Sequence, residues 1–288
     1  MNWKSVLSKR LVCLVLYLSV WATLAAEHSS LKLVSWNVLY GFNHQQSIAE
    51  AADWIKKEQP DIIALQELNG ISDGRLAELA RSWGHGFAVT HKESGFPVGL
   101  ASREPIQVLE RQSEGYHHGF LHAQTFGVHF FVVHLWPGKF REIDWILEKT
   151  APLLKRGERV VILGDFNGCS RNDQEYLARH ATAREIDYTY TDRVEAKGFV
   201  DIVHKHDPHA KISCPSPITI PRWSKDWEEL RKKRYRIDFI FADAGFAKRS
   251  KSGTIRLSPE LDALSDHYPV VAEFLRSSGD SVEGSLGN

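Results

Sequence analysis

Two short segments hold residue types and spacings that could do chemistry. Gly164-Asp165-Phe166-Asn167 and Ser265-Asp266-His267-Tyr268-Pro269-Val270 each set a carboxylate beside a second polar side chain where an apolar strand meets a loop. Open α/β sheets gather catalytic groups at such places. The pattern recurs along the chain. Asn37 follows Leu33-Val34-Ser35-Trp36, Glu67 follows Ile62-Ile63-Ala64-Leu65-Gln66, His134 follows Phe130-Phe131-Val132-Val133, and Asp238 lies in Arg236-Ile237-Asp238-Phe239. Six strand ends could thus bring eight polar groups to one rim. A single Asp or Asn there would only cap a helix or close a turn; it is the repetition that argues for a site. Cleaving a phosphodiester requires shielding of the phosphate charge, an activated water and a stabilised leaving oxygen. Carboxylate and amide oxygens suit a hard cation, Mg²⁺ first with Mn²⁺ and Ca²⁺ as alternatives, whereas thiolates or clustered imidazoles would favour zinc. Glu67 is the first candidate ligand, with Asn37 beside it. His267 backed by Asp238 fits a proton acceptor, because the acid fixes the tautomer and stabilises the imidazolium.

The elements that must position these groups read as strands alternating with amphipathic helices. Leu31 to Trp36, Asp61 to Leu65, His129 to Val133, Val160 to Leu163, Ile237 to Phe241 and Val270 to Phe274 are short runs rich in branched or aromatic residues, as strands are. Ile48, Ala51, Ala52 and Ile55 share a helical face, as do Leu76, Leu79, Ala80 and Trp83, and Ile143, Ile146, Leu147 and Leu154. Ser170 with Asp173 reads as a capping box that opens another helix. The expected class is α/β, with several strands buried on both faces. Asp187 to Arg236 has no clear periodicity and reads as a long loop, which inside a compact domain is usually functional.

Taken in order, Trp36-Asn37, Gln66-Glu67, Val133-His134, Leu163 to Asn167, Arg236-Ile237-Asp238 and Ser265 to Val270 resemble the endonuclease/exonuclease/phosphatase superfamily, whose best-known member is deoxyribonuclease I. Gly99 to Ile106 looks like that family's recurrent central strand and turn, and the likeness spans about residues 31–275. An ordered set of short motifs is far more specific than any one of them. The resemblance implies a four-layer α/β sandwich, two packed mixed β-sheets flanked by helices. It also implies roles: Glu67 binds the divalent metal, Asn37 supports it, and Asp266 completes the site directly or through water. Asp165 would position the attacking water, Asn167 would donate to the phosphate, and His267 oriented by Asp238 would act as base or phosphate contact. His134 matches the second histidine of the deoxyribonuclease branch, although its expected carboxylate partner is not identifiable from the sequence.

Composition and charge bound this reading. With 43% hydrophobic and 25% charged residues the 288-residue chain is an ordinary globular protein, not a disordered or fibrous one. Lys4, Lys9 and Arg10, the apolar run Leu11 to Leu24 and Ala25-Ala26 read as a signal peptide over residues 1–26, too short for a spanning helix. A catalytic domain over residues 27–276 and a disordered tail over residues 277–288 are then expected, in a secreted or periplasmic protein with no stable membrane insertion after cleavage. Cleavage removes three of the 36 basic and none of the 36 acidic residues, so the remaining chain carries −3. A polyanion would have to be recognised by a local patch. The basic run Arg231 to Arg236 is expected to supply phosphate contacts, with Arg222, Trp223, Trp227 and Tyr235 nearby either stacking, covering a lipid or packing. His204, His206 and His209 read as a solvated loop rather than a zinc site. Cys169 and Cys214 either pair or stay as buried thiols. The functional expectation is a monomeric, Mg²⁺-dependent phosphodiesterase acting on nucleic acid. A sphingomyelinase or an inositol-phosphate phosphatase is the alternative within the superfamily, and a non-catalytic binding or toxin-like subunit the alternative outside it.

Overall fold

The structure, a computed structural model, describes residues 30–180 and 186–276. The expected signal peptide and tail lie outside the described residues. Twelve strands are described: β1 (Ser30–Asn37), β2 (Ile62–Gln66), β3 (Phe87–Thr90), β4 (Gly99–Ser102), β5 (Gln107–Gln112), β6 (Phe120–Thr125), β7 (Val128–His134), β8 (Arg159–Asp165), β9 (Phe199–Asp201), β10 (Asp238–Asp243), β11 (Ser250–Ile255) and β12 (Val270–Leu275). They form two six-stranded mixed sheets, in the orders β11-β12-β1-β2-β4-β3 and β5-β6-β7-β8-β10-β9. The helices α1 (Ile48–Glu58) and α2 (Asp73–Ser82) pack with the first sheet, and α3 (Arg141–Lys155) and α5 (Thr189–Ala196) with the second; α4 (Gln174–His180) and α6 (Ile202–His206) are shorter. This is the expected four-layer α/β sandwich.

Strand alternation explains why the central strands are apolar along their whole length. In β8, Val161 and Leu163 enter the core between the sheets, while Val160 and Ile162 face the helices. In β10, Ile240 and Ala242 take the first direction and Phe239 and Phe241 the second. A strand covered on both faces has no polar side to show. Each sheet has one parallel pair at its centre, β1 with β2 and β7 with β8, flanked by antiparallel neighbours. The carboxyl ends of these four strands and the amino ends of β10 and β12 therefore meet at one rim.

Some expectations do not hold. Ser170 caps a 3₁₀ turn by accepting from Asn172 N (3.1 Å), but Asp173 does not reach back to complete a capping box. Its carboxylate is buried, taking Lys211 Nζ and Arg236 Nε at 2.7 Å each. Arg236 is likewise buried, with Asp201 as its second partner at 2.7 Å, so it leaves the expected phosphate-binding run. Arg231 and Lys233 pair with Glu228 and Glu229, and Arg234 donates to Pro215 O at 3.1 Å while lying over Trp227 and Tyr268. Nearby acids and carbonyls thus answer most of that charge. The segment from Asp187 to Arg236 is not one loop: it contains α5, β9, α6 and two shorter helical turns. His204 and His206 lie on α6 rather than in a loop, with His206 Nε2 2.8 Å from Ser250 Oγ. Cys169 and Cys214 are buried in one small apolar cluster, and no disulfide joins them.

Candidate active site

Register brings the rim residues face to face. Asp165, the last residue of β8, is paired with His134 across the parallel β7 and with Asp238 across the antiparallel β10. On the first sheet Asn37 pairs with Gln66, which puts Glu67 one residue beyond the end of β2. The two sheets are tied at this rim by Asn37, whose Nδ2 donates to Glu67 Oε1 and to Asp165 Oδ2, both at 3.1 Å. Its amide oxygen accepts from Leu39 N at 3.1 Å, leaving a second lone pair on that oxygen. One amide thus fixes the separation between the carboxylates of two different sheets.

Asp165 is the focus. Besides Asn37, its Oδ2 has His134 Nε2 at 3.6 Å and His267 Nε2 at 3.7 Å, and its Oδ1 accepts from Asn167 N at 2.8 Å. Burial raises its carboxyl to about 7, against the nearby His267 charge. His267 Nδ1 stands 2.8 Å from Asp238 Oδ2, which also accepts from Ser213 Oγ at 2.6 Å. Burial opposes charge on His267, but Asp238, Cys214, Asp266 and Asp165 together hold its imidazole well above the ordinary range. His134 goes the other way: burial, and then the neighbouring His118 and His267, keep it well below. One histidine of the pair favours the cation and the other the neutral ring.

Backbone conformations at the site are ones that L-residues rarely adopt. Glu67 has φ 59° and Asn167 φ 47°, and Leu39 through Gln45 all run at positive φ. Each such residue costs on the order of 1–2 kcal/mol, and strain of this kind collects where function over-determines the geometry. The left-handed run directs Tyr40 N to Glu67 Oε2 (3.0 Å) and Gly41 N to Glu67 O (2.6 Å). Gly41 is required there, because a Cβ would stand 2.3 Å from Asn69 O. Asn167 is fixed by its Nδ2, which donates to Leu135 O at 3.0 Å.

The donor set fits a hard divalent cation. Asp266 is a buried and Glu67 a partly buried carboxylate, both held above the ordinary range, Glu67 by desolvation and then by the charge of Asp266, and Asp266 by burial first. Buried acids that repel one another are relieved by a bound cation. Asp165, Asp238 and His267 also lie with ligand atoms within 4.8 Å of one another, as do Cys214, Asp266 and His267. In the first of these groups Asp238 is committed to His267 Nδ1, which marks a hydrogen-bonded dyad.

All eight residues singled out from the sequence thus sit at this rim. Several supports were not legible there. Ser265 Oγ donates to Asn37 O (2.6 Å), and Trp36 Nε1 donates to His267 O (2.9 Å), stitching the loop before β12 to β1. Ser213 also accepts from Ile237 N (3.0 Å) and Asp238 N (3.1 Å). Serines and a tryptophan of this kind carry no local signal, because their partners are distant in sequence. Cys214, read only as half of a disulfide question, is buried against His267 and Asp266, with its thiol pushed up to about 12 by burial. Among the described residues His134 Nδ1 has no hydrogen-bond partner, so the missing carboxylate stays missing.

The sequence profile of the Endonuclease/Exonuclease/phosphatase family matches residues 34–267. Among curated proteins, none matches. Among solved structures, an AP endonuclease from Archaeoglobus fulgidus is 22% identical with a TM-score of 0.63, over 85% of this chain and 99% of that one. A 3' phosphatase from Neisseria bound to a product DNA hairpin is 21% identical with a TM-score of 0.66, over the same shares. An AP endonuclease from Leishmania major is 15% identical with a TM-score of 0.62, over 87% of this chain and 89% of that one. At these identities the likeness to solved structures is one of fold.

Proposed function

The chain belongs to the endonuclease/exonuclease/phosphatase family, a family of phosphoester hydrolases, and from that premise we propose a secreted or periplasmic, Mg²⁺-dependent phosphodiesterase whose substrate is nucleic acid. The observation that carries the reading is the convergence of Asn37, His134 and His267 on one oxygen of Asp165, with Glu67 held beside it through the same Asn37. Glu67 and Asp266 would hold the metal, with Asn37 as support. A bound Mg²⁺ would supply charge neutralisation at the phosphate and at the leaving oxygen.

The residues divide the remaining work. Asp165, with a carboxyl near 7, suits a group that orients the attacking water and takes its proton, since such an acceptor works best when poised near the operating pH. His267, kept in orientation by Asp238 and favouring the imidazolium, donates from Nε2 to a non-bridging phosphate oxygen, where charge builds in the transition state. Asn167, fixed on Leu135 O, presents its amide to the same phosphate. His134 and the stacked His118 are held neutral, above all by burial, so they flank the scissile group without competing for the cation. Deoxyribonucleic acid and ribonucleic acid are favoured over sphingomyelin and inositol phosphates because solved structures of the same fold include DNA-processing enzymes.

The test is hydrolysis of bis-p-nitrophenyl phosphate with and without Mg²⁺, followed by plasmid DNA, RNA, sphingomyelin and an inositol phosphate under the same conditions. Metal-dependent turnover of the generic diester and of a nucleic acid is the expected result. No turnover of any substrate would leave a binding subunit, and turnover of sphingomyelin alone would replace the substrate. Export is tested separately, by whether residues 1–26 are missing from the mature protein recovered outside the cytoplasm.

A further inference from the structure

A row of rings borders the site, beginning where His134 meets Asp165. His118 stacks on His134 with ring centroids 4.2 Å apart and planes 22° from parallel. On one side the row runs from His118 to Phe96 (4.8 Å), Tyr40 (5.6 Å) and His44 (4.9 Å). On the other it runs from His118 to His117 (4.5 Å) and on to Trp136 (4.2 Å, planes 26° apart). His44, His117 and Trp136 are exposed, Trp136 with 43% of its surface free, Tyr40 and Phe96 are half-buried, and only His118 and His134 are buried. Immediately beyond Trp136, a cavity of about 470 Å³ opens between Pro137, Phe140, Gly168 and the active-site Asn167. Four separate segments, the left-handed turn after β1, the loop before β4, the loop between β5 and β6 and the end of β7 with the loop after it, contribute to one side of the active site.

The charge state of the row limits what it can bind. Burial takes His118 down to about 3, and Lys92 stands close enough to add to that shift. His118, at the centre of the row, is therefore a neutral ring with a lysine alongside and not an imidazolium for phosphate, and it backs the exposed rings of His117 and Trp136. Ring faces open to solvent with a cation beside them match successive bases and the backbone that joins them. A paired duplex has both faces of each interior base already covered, so only an unpaired strand can use such a row. Acyl chains would gain little from four imidazoles, whose ring nitrogens are better satisfied by water or by a base.

We propose that the ring row from Tyr40 through His118 to Trp136 is a base-stacking platform that makes the enzyme selective for unpaired nucleic acid, with the scissile phosphate at Asp165 and His267. This rests on the nucleic-acid reading of the site given above. The experiment compares kcat and KM of wild type, Trp136→Ala, Trp136→Phe and His117→Ala on a single-stranded oligonucleotide, its duplex, sphingomyelin vesicles and bis-p-nitrophenyl phosphate. Wild type should prefer the single strand. Trp136→Ala should raise KM on it by about tenfold relative to its effect on bis-p-nitrophenyl phosphate, the scale of one lost base stack, with kcat little altered. His117→Ala should act in the same direction, and Trp136→Phe should restore most of the affinity. Equal effects on single strand and duplex, or no change in KM on the single strand, would overturn the platform while leaving a nuclease. A larger loss on sphingomyelin vesicles than on the oligonucleotide would also overturn it, in favour of a lipid contact. Failure of wild type to cleave any oligonucleotide would remove the nucleic-acid reading and the platform together.

Discussion

Asp165 concentrates the chemistry at the scale of single residues, and its environment sets what its replacement should do. Asp165→Ala and His267→Ala should each lower kcat by several orders of magnitude while leaving the fold intact, since in the proposed mechanism each would act on the transition state; steady-state kinetics with circular dichroism checks both halves. Asp165→Asn allows a second test through stability. The folded carboxyl lies at about 7 against an ordinary 3.8, so its contribution is fully present below about pH 4 and is lost as pH rises through about 7. Without divalent ions, wild type should therefore lose stability relative to Asp165→Asn between those limits, by on the order of a few kcal/mol. Urea denaturation across that range, in the presence of a chelator, gives the difference; parallel profiles would mean that the carboxyl is not under this burden. Ser213 is a positioning residue one step away, donating to Asp238 Oδ2 and accepting two backbone N–H groups. Ser213→Ala leaves Asp238 holding His267 with one fewer tie. A drop in kcat of about tenfold, with a shifted acid limb of the pH–rate profile and unchanged metal dependence, separates that role from a purely structural one.

Secondary-structure elements deliver these side chains, and the tightest point in that delivery is where β7 meets β8. Gly164 has φ 140°, and a Cβ there would stand 1.9 Å from Val133 O. Gly164→Ala must push β7 from β8 between His134 and Asp165, so a stability loss of about 2 kcal/mol or more should come with an activity loss out of proportion to the fraction unfolded. Equilibrium unfolding and activity measured on the same preparation test this. The same comparison shows which elements can be read from sequence. The strands β1, β2, β7, β8, β10 and β12 are legible because both of their faces are buried and the apolar run is nearly continuous. β5 and β11 escaped notice because Gln107–Gln112 and Ser250–Ile255 lie at sheet edges and show mostly polar side chains. For the site, residue identities and their order are visible at strand ends, but register is not: nothing local says that Asp238 will face Asp165 rather than Phe166. Nor can a run of like charges reveal that Arg236 turns inward to Asp173 and Asp201 while its neighbours turn out. Such choices are made by partners 35 or more residues away, and the left-handed turn after Asn37 exists only because Glu67 is there to receive its N–H groups.

Across the whole molecule, the active site is a destabilising element held open by the rest of the sandwich. Asp165 and Asp266 are buried and Glu67 partly buried acids at strand ends from both sheets, all held above the ordinary carboxylate range, and the loops around them keep several residues in left-handed conformations. The counterweight is the core between the sheets together with the cover of α3 and α5 over the second sheet, where large side chains such as Phe130, Phe131, Phe239 and Phe241 are fully buried. Because Asn37 ties Glu67 to Asp165 of the second sheet, a cation bound at Glu67 and Asp266 would relieve the acids at the point where the two sheets meet. Divalent metal should therefore act as a global stabiliser. A ligand at one hundred times its Kd adds about 2.7 kcal/mol to a state it binds selectively, and for a domain of this size each kcal/mol moves Tm by roughly 2–4 °C. Mg²⁺ should raise the midpoint of thermal unfolding by that order, a chelator should reverse it, and Ca²⁺ should do the same with or without turnover. Glu67→Gln removes one of the opposed charges, so it should unfold at a higher temperature than wild type in chelator yet gain much less from Mg²⁺. A full Mg²⁺ shift in Glu67→Gln would place the ion elsewhere. The crossing of the two profiles is the discriminating result, because a generic ionic-strength effect would move both proteins in parallel.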